Sequence, residues 1–371
     1  MADTEQQAEA KPEPPYSGFT PARRGFIIGL VSTAGFLGPL AGGIYLPALP
    51  VLEQDFRVNS TAINVTVSVF MLLCAFAALF WSSISDWKGR RPLYLIALAI
   101  YLAANILLAA LPANFGALVF LRMVTEPARR GFAMSIFLLG PNLGPTIGPV
   151  LGGVITGQAS WRWTFGFLAI AVGITWLVML FAFPETLRFR VGNGAMYSSS
   201  SSLLLLPPRL VSPLAPESER GPRPPKPSLT TFWRLFRYPP ISIAALYTAL
   251  MFANYFAIAV GLSDVLVKRY GWSVTAVGGG YLALGVAIVS GSMLAGRFSD
   301  WRRARVAKKM PDGKVAPERR LVDQVWGAVV CVAGTVMYGW CVEKGVHPAA
   351  VLVATALVAW DASAGAMALE T

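Results

Sequence analysis

At 371 residues the chain is long enough for two or three soluble domains, yet 55% of it is hydrophobic and only 13% charged, against about 25% charged in soluble globular proteins. With a mean hydropathy of +0.57 a soluble core would keep almost no polar skin. The apolar residues come in blocks of about 20, the length that crosses a ~30 Å hydrocarbon layer. These features exclude an ordinary soluble protein and predict an all-α polytopic membrane protein. The net charge of +12 does not point to nucleic acid, because the basic stretches abut apolar blocks and no folded reading module accompanies them. Cys74, Cys331 and Cys341 all lie inside apolar blocks, giving neither a disulfide framework nor a metal-ligand spacing.

In chain order, residues 1–24 are polar and Pro-rich and read as a cytosolic tail without an apolar signal core, so the first span itself directs insertion. Predicted spans follow at Phe26–Leu49, Ala62–Trp81, Leu93–Leu111, Phe132–Ile155 and Trp163–Phe183, forming an N-terminal transmembrane bundle over 25–184. Residues 185–239 hold a serine run and a Pro-rich stretch and read as a disordered cytosolic linker. Spans at Ile241–Gly261, Val274–Ala295, Val322–Val342 and Ala349–Leu369 form a partial C-terminal bundle over 240–371. Strict apolar/polar alternation is absent, which argues against a barrel.

Basic residues gather in 185–239, in 297–320 and in the short turn Lys88–Arg91, so all three are expected on the cytosolic side. This creates a conflict. The third span ends outside near Leu111, while Arg129 and Arg130 before the next long span belong inside, and only Ala113–Leu121 is available to cross back. Nine apolar residues are too short for that. A helix is therefore expected to be missing, most simply through a faulty gene model or a skipped exon.

Two motifs carry the functional reading. Ser82-Ser83-Ile84-Ser85-Asp86-Trp87-Lys88-Gly89-Arg90-Arg91 joins the second and third spans, and Gly296-Arg297-Phe298-Ser299-Asp300-Trp301-Arg302-Arg303 follows the seventh. Gly89 permits a tight turn, and Asp86 can cap a helix or pair with the arginines. Recurrence of Ser-Asp-Trp at corresponding places is the internal repeat of many transporters; two ordinary positive-inside loops are the alternative. In the second motif, Gly140, Gly144, Gly148 and Gly152 recur at every fourth position and line one helix face, which lets a neighbouring helix approach at backbone distance. Pro145 and Pro149 each remove an internal hydrogen bond and predict a bend. Such a helix can act as a pivot, or as a static packing face.

These residues resemble the major facilitator superfamily and, within it, the fungal drug:proton antiporters of the twelve-span type, in the quinidine and multidrug resistance branch. Asp86-x-x-Gly89-Arg90-Arg91 is similar to the superfamily's cytosolic loop signature, and Gly140–Gly153 to the antiporter signature of the fifth helix. Ile44-Tyr45-Leu46-Pro47-Ala48-Leu49, Asn64-Val65-Thr66, Pro184-Glu185-Thr186-Leu187-Arg188 and Val191-Gly192-Asn193-Gly194 add to the likeness. The resemblance implies a two-bundle fold, truncated here. Arg122 aligns with the fourth-helix signature, whose arginine is implicated in proton transfer, but the glutamine-glycine stretch expected after it is absent, so the missing helix is the fourth. The chain also stops inside what resembles the tenth helix, without an eleventh or twelfth. Ser82 and Trp87 depart from the loop signature, which usually has glycine and arginine there.

What the resemblance implies is a transmembrane transporter, not an enzyme: proton-coupled export of amphipathic drugs or polyamine-like cations by alternating access. The alternatives are a non-transporting truncated remnant and a uniporter or sugar carrier of the same fold. Asp86, Gly89, Arg90, Arg91 and Asp300 are expected to form a cytosolic latch, and Gly140, Gly144, Pro145, Gly148, Pro149 and Gly152 the pivot. Arg122 and Asp361 are the candidate proton relay, Asp361 because charge within a span is costly and so a functional candidate by default. Tyr45, Asn64 and Asn254 could line a substrate cavity, or could serve packing and interhelical bonding. Expected partners are a small organic substrate, the proton and the lipid bilayer, for a monomer with no cofactor, no metal and no nucleic acid. The plasma membrane is the expected location, with the vacuolar membrane as second choice.

Overall fold

Thr20 starts the first helix: its hydroxyl accepts a hydrogen bond from the Arg23 N–H, and Pro21 occupies the first turn, where a missing N–H costs nothing. From there α1 (Pro21–Ile44) runs toward the outer face and passes through a short 3-10 turn (Leu46–Ala48) into α2 (Leu49–Phe56). Asn59 caps α3 (Ser60–Lys88), which returns to the cytosolic side, followed by α4 (Arg90–Ala110) and α5 (Phe115–Val124). Next come α6 (Ile136–Gln158), α7 (Trp161–Ala182) and the single-turn α8 (Arg188–Val191). The second half consists of α9 (Pro239–Lys268), α10 (Val274–Ala307), α11 (Arg319–Lys344) and α12 (Pro348–Glu370).

This computed structural model describes residues 18–110, 115–124, 136–194, 197, 214–217, 220, 236–308 and 319–370. Within them, side chains at 73–80, 82–83, 123–124, 136–142, 240–241, 244, 295–296, 298–300, 302–304, 306–307, 319–326 and 361–370 are not described. All regular structure among the described residues is helical. Every predicted span coincides with one of these helices. Five described stretches are long and apolar enough to cross a bilayer: Pro21–Phe56, Arg90–Ala110, Trp161–Ala182, Ala245–Lys268 and Val274–Leu294.

Packing follows from which faces carry small or apolar residues. In the first half α1 lies along α6 and α4 along α7; in the second, α12 lies against α10 and α11. The halves meet chiefly where α6 lies on α10. Ile170, Ile174 and Leu177 on α7 and Val329, Val332 and Val336 on α11 stay exposed at helical spacing, as expected of faces turned to lipid. Polar groups inside the bundle are bonded across helices. The Tyr101 hydroxyl donates to Leu37 O at 3.0 Å, the Trp176 indole to Leu95 O at 2.9 Å and the Tyr281 hydroxyl to Ala259 O at 2.6 Å.

Helix directions settle how the chain threads. Gly144 faces Pro39 and Gly152 faces Ile44, so α6 runs parallel to α1. The end of α4 and the start of α6 therefore lie at opposite ends of the bundle, and the start of α6 is on the Asp86 side. Between them α5 has 10 residues, about 15 Å of helix against ~30 Å of hydrocarbon. Its described residues overlap the predicted Ala113–Leu121 stretch and by themselves cover about half a crossing.

Candidate functional site

The cytosolic turn between α3 and α4 is built around a residue that motif matching quoted without a role. Glu185, fully buried just beyond α7, accepts four backbone N–H groups. Its Oε1 takes Arg90 N at 3.0 Å, Thr186 N at 2.9 Å and Leu187 N at 3.1 Å, and its Oε2 takes Arg91 N at 3.3 Å. The first N–H groups of a helix lack internal partners and sit at its positive end, so a buried carboxylate there meets both needs. Gly89 makes this possible. Its φ is +110, and a Cβ would stand 2.5 Å from Glu185 Oε2 and 2.9 Å from Arg190 Nη1.

The latch residues then sort by what they touch. Arg90 reaches Asp86 at 3.9 Å on the half-exposed rim. Arg91 is buried, and its guanidinium donates to Leu180 O at 2.9 Å. Arg190, on α8, donates to Lys88 O at 2.5 Å. The backbone of Asp300 lies on the same cytosolic side near the end of α10; its side chain falls outside the described residues. The start of the linker folds under this end of the bundle: Asn193 O accepts Gly18 N at 2.8 Å, Arg23 donates to Tyr197 O at 2.5 Å, and Arg190 O accepts Ala215 N at 2.8 Å.

The glycines of α6 serve two neighbours. A Cβ on Gly144, Gly148 or Gly152 would meet α1 backbone: Leu40 N at 2.7 Å, Ile44 N at 2.8 Å and Ile44 O at 1.9 Å respectively. Pro149, from the same run, lies against Gly43, where an added Cβ would find its Cδ at 3.0 Å. Pro145 sits in the same contact, with its Cα 3.4 Å from that Cβ position. Gly140 starts the run within α6, but its surroundings fall outside the described residues. A second small-residue face looks the other way. A Cβ on Gly153 would stand 2.7 Å from Gly278 Cα and 2.9 Å from Val274 O, both on α10, and one on Gly285 would meet the Thr146 side chain. Sequence reading missed this second face, although Gly153-x-x-x-Gly157 and the glycines of α10 carried the signal.

Arg122, in the last turn of α5, is buried between two aromatic rings. Its guanidinium carbon is 3.9 Å from the Tyr45 ring centroid and 4.5 Å from that of Phe70. The Tyr45 hydroxyl donates to Thr66 Oγ1 at 3.0 Å, and Thr66 in turn donates to Ile63 O at 2.6 Å. Stacking on ring faces offsets part of the cost of burying a cation. Of the predicted cavity residues, Tyr45 thus joins Arg122. Asn254 bonds instead across helices, its amide donating to Thr335 Oγ1 at 2.8 Å on α11, and Asn64 is a half-buried α3 residue whose backbone oxygen accepts the Ser68 hydroxyl. Asp361 lies outside the described side chains.

At the outer end one cation spans the two halves. Lys268, the last residue of α9, places its ammonium 2.9 Å from Glu53 on α2, 2.9 Å from Ser60 Oγ on α3 and 2.7 Å from Asp264 on its own helix. Nearby, the Trp161 indole donates to Asp55 at 2.7 Å and ties α7 to α2.

Two helical bundles with a basic cytosolic side, joined along a glycine-lined seam and bridged at the outer rim, define a polytopic membrane carrier rather than a soluble enzyme. The Major Facilitator Superfamily model matches residues 31–126 and 123–369. The chain belongs to this superfamily and is a multi-pass membrane transporter. It is 37% identical to dityrosine transporter 1 of Saccharomyces cerevisiae, over 93% of this chain and 68% of that protein. Identity is 36% to a multidrug transporter of Candida glabrata, over 93% of this chain and 72% of that one. To an MFS antiporter of Candida albicans it is 29%, over 96% and 77%. These relatives are consistent with the fungal antiporter branch that the motifs resemble. Among solved structures, a bacterial homologue of the human lysosomal transporter Spinster aligns with a TM-score of 0.55 at 14% identity, covering 94% of this chain and 75% of that one. A peptide transporter aligns with a TM-score of 0.55 at 15% identity, covering 93% and 86%; both show the fold alone. The two matched segments overlap at residues 123–126, beside the last described residues of α5.

Proposed function

We propose that the chain exports small amphipathic organic molecules by alternating access, with proton entry as the driving force. The observation that carries this reading is the position of α6, which touches α1 on one face and α10 on the other at backbone distance. Small-residue contacts of this kind allow two bundles to tilt without side chains having to interdigitate and release. In this reading residues 25–184 and 240–371 are the moving bundles, 1–24 the cytosolic tail and 185–239 the connector. Asp86, Gly89, Arg90, Arg91 and Asp300 form the cytosolic latch, with Glu185 as its buried anchor. Gly140, Gly144, Pro145, Gly148, Pro149 and Gly152 form the pivot. Arg122 and Asp361 relay protons, and Tyr45, with Asn64 and Asn254, borders the substrate route. The relatives named for dityrosine and for multiple drugs support an aromatic or amphipathic organic substrate. A monomer in the plasma membrane completes the reading, with the vacuolar membrane as the alternative.

Purified protein in sealed vesicles tests this. An imposed proton gradient is expected to drive uptake of a fluorescent amphipathic cation, and a protonophore to abolish it. Absence of gradient-dependent uptake would contradict the proposal. A second reading, a non-transporting remnant, is favoured by one region: α5 spans 10 residues, the family match divides there, and an alignment of 388 positions draws on only 93% of this chain. Relatives thus carry residues that this chain lacks. Under that reading the vesicles show no uptake while a longer transcript restores it.

A further inference from the structure

We propose that Lys268 is the catch of an outer clamp that holds the two bundles together on the external side, with Asp264 as the partner that keeps the lysine charge paired when the clamp opens. The proposal rests on the alternating-access reading and adds to it the residues that hold one of its states closed. A lysine ammonium has three N–H donors; here it donates to two oxygens and lies in ion-pair contact with a third. Two belong to the opposite bundle, Glu53 Oε2 at 2.9 Å and Ser60 Oγ at 2.9 Å, and one to the lysine's own helix, Asp264 Oδ1 at 2.7 Å. Asp264 lies four residues before Lys268, one helical turn away, so that pair survives any rigid movement of the second bundle. The other two contacts cannot. Any tilt that opens the outer side separates α9 from α2 and α3 and breaks both at once.

Exposure fits a joint made to open. The Lys268 side chain is 51% exposed and that of Glu53 14%, so water reaches the pair when it parts and neither charge is stranded in lipid. The surrounding charged and titratable groups are otherwise engaged. On α2, Asp55 accepts the Trp161 indole. After α9, Arg269 donates to Glu343 O at 2.8 Å and the Tyr270 hydroxyl to Val346 O at 2.5 Å, both within the second bundle. The Lys268–Glu53 ion pair crosses from one bundle to the other, whereas Lys268–Asp264 and Arg90–Asp86 each stay within one. The glycine seam of α6 and α10 is held differently: Gly153 and Gly278 meet there at backbone distance, and the Thr275 hydroxyl donates to Gly153 O at 3.4 Å. The clamp is the contact that must break, and the seam the one that need not.

The test uses the full chain in lipid nanodiscs with spin labels at Gln54→Cys and Ser273→Cys, exposed positions on either side of the clamp. Distance distributions by double electron–electron resonance report the outer opening without any need for flux. The chain as it stands is expected to give a dominant short distance with a minor longer one. Glu53→Gln and Lys268→Met should each raise the long-to-short ratio about two- to fivefold, the effect of losing a partly exposed ion pair. The double variant should do no more than either single one, and Asp264→Asn should leave the short distance dominant. If two distances exist but ignore Glu53→Gln and Lys268→Met, or if the double variant's effect is the product of the singles, the clamp is wrong while alternating access stands. If only one distance appears in every variant, there is no second state and both fail.

Discussion

The two ends of the molecule are held by charge in opposite ways. At the cytosolic turn a buried carboxylate, Glu185, grips backbone N–H groups of Arg90, Arg91, Thr186 and Leu187, tying the first bundle to the start of the connector that leaves it. At the outer rim a half-exposed ammonium, Lys268, holds side chains of the opposite bundle. Buried, multidentate bonds to backbone are expensive to break because each orphaned N–H loses its water as well as its partner. Exposed side-chain pairs are cheap to break because water replaces the partner. The first arrangement makes a rigid body and the second a releasable joint, and a carrier that rocks needs both.

Substitutions can break this contrast, and the largest effect is expected at neither end. Gly152→Leu would drive a side chain into the Ile44 carbonyl, where even a Cβ stands 1.9 Å away. Backbone cannot yield as a flexible side chain can, so little folded protein is expected by detergent size-exclusion chromatography. Glu185→Ala comes next. Removing one carboxylate leaves four N–H groups without it, a loss of about 3 kcal/mol or more, read as a fall in the thermal unfolding midpoint. Gly89→Ala should cost about 1–3 kcal/mol, since φ of +110 and the 2.5 Å approach to Glu185 both oppose a Cβ. Arg122→Met removes a cation stacked on two rings and should cost about 1–2 kcal/mol, whereas Arg122→Lys should lose less of it. Lys268→Met should change the midpoint by less than about 1 kcal/mol while shifting the conformational balance. A Lys268 variant that destabilises as strongly as Glu185→Ala would erase the contrast.

Much of the fold was legible because lipid imposes one rule on every span: about 20 apolar residues closing all backbone bonds within a helix. That rule placed each predicted span on a stretch where a helix is found. The stretch expected to be too short, Ala113–Leu121, overlaps α5, of which 10 residues are described. The site was legible only in part. Gly144, Gly148 and Gly152 announced one packing face by spacing alone, but spacing does not say which helix fills it, and the second face toward α10 went unread because its partners lie more than a hundred residues away. Glu185 stood in a recognised motif without a role, because a carboxylate just beyond a helix reads as solvated until Gly89 is brought beside it. Asn254, a cavity candidate by sequence, donates to Thr335, and polarity within a span does not by itself distinguish a ligand contact from an interhelical bond. Glu53 and Lys268 drew no attention, because each alone is an ordinary charge at a helix end.

The most direct measurement joins the outer rim by covalent bond. In sealed vesicles, a chain carrying Glu53→Cys and Lys268→Cys should support gradient-driven uptake when reduced, lose it on oxidation to the disulfide, and regain it on reduction. Uptake that persists at full strength with the disulfide formed, or that is absent even in the reduced chain, would contradict transport by two bundles that part at the outer face.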